Sequence, residues 1–162
     1  MLEVRRVSKA YNDSPLLTDV SFRVRSGETV CLLGPSGSGK STLLRMIAGL
    51  EVPDAGEILW ARADLAPVPP HARDFGLVFQ DYALFPHLTV SENVGFGLKM
   101  RDVPAVDIQR RVAEVLNLVH LRGFNSRRVT DLSGGEAQRV ALARALAPRP
   151  RDRKSTRLNS SH

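Results

Sequence analysis

Nine consecutive residues near the start of the chain have the types and spacing needed to hold phosphate groups. Residues 34–42 read Gly-Pro-Ser-Gly-Ser-Gly-Lys-Ser-Thr and fit the pattern G-x-x-x-x-G-K-[ST] without a mismatch. The glycines let the backbone wrap closely, so that several N–H groups can point at one anion. Lys40 can reach the β- and γ-phosphates of a nucleoside triphosphate, and the Ser41 hydroxyl can ligate Mg²⁺.

The segments on either side of this loop supply the context that the motif requires. The apolar run at residues 29–33 predicts a strand, and residues 43–48 predict a helix that ends at Gly49. This strand–loop–helix order favours nucleotide binding over the alternative, a glycine-rich turn with a solvated lysine. The predicted phosphate-binding residues are Gly34, Pro35, Ser36, Gly37, Ser38, Gly39, Lys40, Ser41 and Thr42.

Length and composition indicate one ordinary globular domain. The chain has 162 residues, of which 43% are hydrophobic and 25% charged. No apolar run approaches the roughly 18 residues that span a bilayer, and the first residues lack the apolar segment of a secretory signal. The single cysteine, Cys31, lies in a predicted strand, so we expect a buried structural thiol in the cytoplasm.

The net charge of +6 invites a nucleic-acid partner, but its distribution argues against one. The basic residues are scattered along the chain, and much of the excess lies after residue 151. Nucleic-acid binding proteins instead cluster their cations on one face or along one helix. We therefore expect no nucleic-acid partner.

The first half of the sequence has the alternation typical of strands. Residues 2–7 and 20–25 alternate polar and apolar side chains, and residues 12–15 supply a turn between them. They predict an antiparallel pair with one solvated face. Short apolar runs at residues 57–60 and 75–79 predict two further strands.

After Gln80 the pattern becomes helical. Thr89 with Glu92, and Ser133 with Glu136, each fit a capping box at the start of a helix. Pro104 marks another helix start, followed by apolar residues at helical spacing. The order of strands and helices predicts an α/β core with N-terminal antiparallel strands and a helical insertion.

A second motif, Leu-Ser-Gly-Gly-Glu at residues 132–136, indicates a family when it is taken together with the first. Adjacent glycines and a serine at a helix N-terminus can bind an anion, although a well-capped helix is the simpler interpretation. Together with residues 34–42, the motif resembles the signature of the ATP-binding cassette (ABC) family, and the resemblance continues through residue 151. It implies a P-loop NTPase (RecA-like) core, ATP and Mg²⁺ as ligands, and ATPase activity in the full-length protein.

The resemblance also implies roles for two isolated residues. Gln80 follows a predicted strand and matches the family's Q-loop glutamine, whose amide ligates Mg²⁺ or the attacking water. Tyr11 is placed like the family's adenine-stacking aromatic residue. Taken alone, each would be an ordinary turn residue. None of the four histidines matches the family's switch histidine or has metal-ligand spacing with a partner.

Family members act as pairs, which implies partners for this chain. In the family, the phosphate loop of one subunit and the signature of the other close on the same γ-phosphate. The resemblance thus implies a homodimer or a paired ABC subunit. It also implies a site completed in trans by Ser133, Gly134, Gly135 and Glu136.

The segment at residues 78–90 resembles the Q-loop region of bacterial importer ATPases for polyamines, iron(III), sugars and sulfate. This implies an ATP-binding subunit of an ABC transporter, peripheral on the inner face of the cell membrane, that docks on transmembrane permease subunits. Tyr82, Leu84 and Phe85 would form the docking surface or pack the helical insertion. The alternative is a non-transport ABC ATPase.

The end of the sequence departs from the family pattern. An apolar strand ending in Asp-Glu is expected after residue 150, to supply the Mg²⁺-binding aspartate and the catalytic glutamate. Residues 152–162 instead resemble a translated sequencing adapter. We therefore expect an ABC domain at 1–151 with an incomplete central sheet, divided into 1–85 and 86–147, and a non-native tail at 152–162. A chain of this kind would bind nucleotide without hydrolysing it.

Overall fold

The computed structural model describes residues 1–148, and the predicted non-native tail lies outside them. The chain divides into two compact units, Met1–Phe75 and Gly76–His162. The division expected between residues 85 and 86 stays a prediction. No helix within residues 1–148 is long and apolar enough to cross a membrane.

The first unit is built on a four-stranded antiparallel sheet with the order β2-β1-β3-β4. Its strands are β1 (Leu2–Tyr11), β2 (Ser14–Val24), β3 (Ala55–Trp60) and β4 (Ala63–Asp64). Asn12 and Asp13 join β1 to β2 with φ angles of 48° and 61°, the left-handed conformation of a tight hairpin turn. The predicted antiparallel pair and the strand near residues 57–60 are confirmed. The two-residue β4 is too short to leave a pattern.

Helix α1 (Lys40–Ala48) begins within the predicted phosphate-binding segment, residues 34–42, which we call the phosphate loop. The helix packs on this sheet. Leu43 and Met46 are buried in one cluster with Val4, Val7 and other sheet residues. The helix ends at Gly49, whose φ of 83° lets its N–H bond the Met46 carbonyl oxygen at 3.1 Å. The predicted end of this helix is confirmed.

Two predicted strands are absent from the part of the chain that the structure describes. Residues 29–33 and 75–79 have no ladder partners there and are not strands. An apolar run records only a local preference, whereas a strand also requires a neighbour to pair with. Because residues 29–33 lie outside a sheet, Cys31 is exposed, and the expectation of a buried thiol was wrong.

Up to residue 148, where the described part of the chain ends, the second unit contains three α-helices around their own core. They are α2 (Val90–Lys99), α3 (Ala105–Leu118) and α4 (Gly134–Leu146). Both predicted capping boxes are present, at Thr89 and at Ser133, and Pro104 precedes α3 as expected. The apolar residues of α3 that repeat at helical spacing are buried against α2 and α4, which confirms the predicted amphipathic helix.

Candidate functional site

The phosphate loop holds two glycines in the left-handed region. Gly37 and Gly39 have φ angles of 81° and 84°, which side-chain-bearing residues rarely adopt. A Cβ added to Gly39 would lie 2.8 Å from the Leu17 Cδ2 atom and 3.0 Å from Cγ. Residue 39 therefore has little room for a side chain, and the loop lies against strand β2.

Helix α1 begins at this loop without a side-chain cap. Gly39 is its N-cap residue, and its first turn contains no acidic residue. Its first backbone hydrogen bond runs from Leu43 N to Gly39 O at 2.9 Å. The N–H groups before Leu43 therefore have no acceptor within the helix, as at every helix start. By contrast, α2 and α4 each place a glutamate at their start. The α1 terminus is thus suited to an external anion.

The side chain of Lys40 curls back over the loop from the first residue of α1. Its Nζ donates hydrogen bonds to Gly34 O at 2.8 Å, Pro35 O at 2.6 Å and Ser38 Oγ at 3.2 Å. These three neutral acceptors hold the ammonium group inside the loop. A phosphate oxygen would offer the same donors a charged acceptor, and charge-assisted hydrogen bonds are the stronger kind.

Tyr11 is the last residue of β1. Its side chain remains 46% exposed, its hydroxyl is bonded to the Glu51 carboxylate, and the Lys9 Nζ lies 5.6 Å from its ring centroid. Lys9 pairs with Leu17, the residue that contacts Gly39. The hairpin that carries Tyr11 therefore runs beside the phosphate loop. Adenine stacking by Tyr11 stays a prediction.

Gln80 belongs to the second unit, where it is exposed and lies in a turn. The chain then passes through Tyr82 and Ala83, whose φ angles are 61° and 44°. Two consecutive left-handed residues that are not glycine are uncommon and need support from their surroundings. Mg²⁺ or water ligation by Gln80 stays a prediction.

Two side chains that the sequence analysis missed hold this segment. Arg144 donates to Tyr82 O at 2.8 Å and to Ala83 O at 2.7 Å, and burial lowers the pKa of its guanidinium. Asn93 is fully buried and bonds the backbone at residues 85, 88 and 89. The sequence contained a signal for each of them: Asn93 is a polar residue on the apolar face of α2, and Arg144 is an arginine in the Ala/Leu-rich α4. Phe85 packs on Phe96 at 4.6 Å between ring centroids.

At the start of the signature helix α4, the Glu136 carboxylate of the helix itself binds the N-cap residue Ser133. The Glu136 carboxylate accepts hydrogen bonds from the Ser133 N–H and hydroxyl, both at 2.8 Å. The Ser133 backbone hydrogen bond, followed by that of the hydroxyl, lowers the pKa of Glu136. A phosphate would have to compete with Glu136 for the Ser133 hydroxyl. Ser133, Gly134 and Gly135 are exposed, and a Cβ on Gly134 would meet nothing within 4 Å.

The structure thus places the site residues in two groups. Tyr11 and residues 34–42 lie in the first unit, whereas Gln80 and residues 133–136 lie in the second.

Comparisons with known proteins identify the family of the chain. A family model described as ABC transporter matches residues 17–151. The putrescine transport ATP-binding protein PotG of Escherichia coli is 51% identical over 151 residues, covering 93% of this chain and 40% of PotG. The spermidine/putrescine import ATP-binding protein PotA of Methylococcus capsulatus is 54% identical over 147 residues, covering 91% of this chain and 38% of PotA. The chain spans about 40% of the length of these curated relatives.

Solved structures show the same fold. MJ0796, a bacterial ABC transporter cassette solved as a dimer, has a TM-score of 0.81 at 34% identity, covering 91% of this chain and 69% of MJ0796. A dimeric post-hydrolysis state of MJ0796 bound to ADP and Pi has the same TM-score, identity and coverage. CbiO1 of Clostridium perfringens, part of the complex CbiONQ, has a TM-score of 0.80 at 29% identity, covering 90% of this chain and 61% of CbiO1. The predicted α/β cassette fold is confirmed.

Proposed function

Because the chain belongs to the ABC transporter family, we propose that it binds ATP as part of the ATP-binding subunit of a solute importer. The observation that carries the proposal is the start of α1. There an uncapped helix terminus without acidic residues meets the Lys40 ammonium inside the loop. Both features favour the phosphates of a nucleotide, and both lie in the same nine-residue segment.

The residues of the loop would have different roles in binding phosphate. Gly34, Gly37 and Gly39 let the backbone turn tightly, and Lys40 supplies the positive charge. Its ammonium exchanges the carbonyl oxygens of the loop for phosphate oxygens, which needs only movement of its side chain. Ser41 is exposed at the helix start, where its hydroxyl would hold Mg²⁺. Bound Mg²⁺ would neutralise part of the phosphate charge.

Adenine would stack on Tyr11, which offers a half-exposed ring at the end of the hairpin beside the loop. The ring is restrained on one side by its hydroxyl bond to Glu51 and by the nearby Lys9 ammonium. This restraint lowers the entropy that stacking would otherwise cost.

A second subunit would contribute its signature to the same nucleotide. The proposal is supported by the dimeric form of MJ0796 and by the exposed, unobstructed backbone at Gly134. Ser133 and Gly135 would add donors to the γ-phosphate of the partner's ATP. In that complex the Ser133 hydroxyl would donate to phosphate and lose its hydrogen bond to the Glu136 carboxylate, while the capping-box bond from the Ser133 N–H to this carboxylate can remain.

The transport role comes from the relatives. PotG and PotA are named for putrescine and spermidine transport, so we infer a polyamine importer whose whole ATP-binding subunit hydrolyses ATP. This subunit would lie on the inner face of the membrane against permease subunits. The segment after Gln80 would form part of the contact, with Tyr82 contributing more than Leu84 and Phe85, which already pack within the second unit.

The test of nucleotide binding compares two cations on the same helix. Lys40→Ala is expected to weaken Mg²⁺–ATP binding by about 10-fold to about 100-fold, because a hydrogen bond to a charged group contributes about 1.5–3 kcal/mol. Arg45→Ala removes the same charge from an exposed position of α1 and is expected to change the Kd by less than about 3-fold. Both are measured by calorimetric titration. Equal Kd values for Lys40→Ala and the unaltered chain would refute the proposal.

A further inference from the structure

We propose that Arg144 is a positioning residue that holds the turn after Gln80 in its left-handed form and ties it to helix α4, whose N-cap residue is Ser133. The inference rests on the proposed function, because that function gives Gln80 and Ser133 their roles. Arg144 itself is not one of the predicted nucleotide-binding residues. It acts through Tyr82 and Ala83, which lie two and three residues after Gln80.

The turn needs an external support. Tyr82 and Ala83 both lie in the region of positive φ that favours glycine. Such a conformation persists where surrounding contacts fix it. Within the turn itself, the Tyr82 N–H donates to Phe79 O at 3.0 Å.

Arg144 supplies this support through two hydrogen bonds that both form only in the left-handed conformation of the turn. Its two terminal nitrogens donate to two consecutive carbonyl oxygens at 2.8 and 2.7 Å. A guanidinium is a planar fork, so both bonds form only while the two carbonyls point the same way. A turn of Tyr82 or Ala83 to negative φ would swing a carbonyl away and break one bond. The Phe85 ring, 5.5 Å from the guanidinium carbon, further confines the side chain.

The support comes from a different element than the one that holds the rest of the loop. Asn93 on α2 anchors the backbone from Phe85 onward through four hydrogen bonds. Arg144 on α4 anchors the part nearer Gln80. Arg144 lies eleven residues after Ser133, or about 16 Å along the helix. A shift of α4 is therefore transmitted to the turn after Gln80 through the Arg144 side chain, while Asn93 ties the segment from Phe85 onward to α2.

The experiment measures amide hydrogen exchange by mass spectrometry in the chain without nucleotide. In Arg144→Ala, the Tyr82 amide is expected to exchange at least about 10-fold faster, with unchanged protection of the α3 core. Arg144→Lys keeps the charge but lacks the fork, so its exchange rate is expected to fall between the two. If Arg144→Ala does not fold, the lysine variant alone carries the test.

Arg111→Ala is the matched control. Arg111 also donates to two consecutive backbone carbonyls, Leu146 O at 2.8 Å and Ala147 O at 3.0 Å, but these lie at the end of α4. Its removal is expected to speed exchange at residues 146 and 147 and to leave residues 80–84 unchanged.

Unchanged exchange at Tyr82 in both Arg144 variants would overturn the inference. So would an equal effect of Arg111→Ala on residues 80–84, which would indicate general destabilisation of the second unit. Since this assay contains no ATP, its outcome is independent of the Lys40 titration. Lys40-dependent binding with unaltered exchange would refute the role of Arg144 alone.

Discussion

Replacing Asn93 by aspartate changes one atom group at the centre of the loop that follows Gln80. The Asn93 amide Oδ1 accepts from Phe85 N at 2.9 Å, and its Nδ2 donates to the carbonyls of Phe85, Leu88 and Thr89 at 3.0–3.3 Å. Asn93→Asp retains the acceptor and replaces the donor by a second oxygen. The variant therefore has nearly the same volume but the wrong hydrogen-bonding capacity on one side.

The cost follows from burial. Asn93 is fully buried, so the ionised carboxylate would face carbonyl oxygens without water. Each buried polar group left without its partner costs about 1–3 kcal/mol, and an uncompensated buried charge about 3–5 kcal/mol. At pH 7 we expect Asn93→Asp to lower the free energy of unfolding by about 4 kcal/mol.

The loss should depend on pH with a definite sign. Burial beside carbonyl oxygens raises the pKa of a carboxyl above its ordinary value of about 3.9. The neutral, protonated form of the new side chain can again donate one hydrogen bond. The deficit relative to the unaltered chain is therefore smallest below the ordinary pKa and grows as the pH rises through the raised pKa of the folded state.

The assay is urea denaturation followed by circular dichroism at pH 7 and near pH 4. Asn117→Asp makes the same chemical change at an exposed position of α3 and is expected to cost less than about 1 kcal/mol at either pH. Similar losses for the two variants at pH 7 would refute the reasoning, as would a deficit of Asn93→Asp that grows on acidification.

Two further predictions concern the backbone and the helix caps. Gly56→Ala is expected to cost about 3 kcal/mol, because its φ is 86° and a Cβ would lie 2.3 Å from Arg6 O, whereas Gly27→Ala, at φ 77° in open space, is expected to cost about 1 kcal/mol. Urea denaturation of both variants checks this, and equal losses would contradict it. Hydrogen bonds from Thr89 and Ser133 lower the pKa values of Glu92 and Glu136, so their stabilisation is present above the ordinary glutamate pKa and lost as the pH falls through the lowered values. Glu92→Gln and Glu136→Gln should therefore show a flatter decline of Tm in acid, and an unchanged decline would contradict the cap geometry.

Features encoded by neighbouring residues could be predicted from the sequence. The hairpin turn, predicted at residues 12–15 and found at residues 12–13, the end of α1 at Gly49 and the two capping boxes each depend on a few adjacent residues. The conformation of the loop at residues 34–42 belongs to the same class, since its left-handed glycines and the Lys40 hydrogen bonds lie within nine residues, whereas phosphate binding there stays a prediction. Such signals survive because the physical interaction and the sequence pattern cover the same short span.

Features that depend on distant partners could not be predicted. Residues 29–33 have the composition of a strand but no ladder within the described chain, and Cys31 is exposed as a result. The bonds of Arg144 reach 61 and 62 residues along the chain, so no local pattern records them. At Ser133 one motif predicts both a capping box and an anion site. In the structure the Ser133 hydroxyl donates its hydrogen bond to the Glu136 carboxylate.

The most direct test of the central claim is amide hydrogen exchange across residues 36–42 with Mg²⁺–ATP and, separately, with adenosine. If the phosphate loop and the uncapped start of α1 bind the triphosphate, ATP slows exchange of the amides at residues 38–42, and adenosine leaves them unchanged. Unchanged exchange of these amides at saturating ATP, or equal protection by adenosine, would contradict the account.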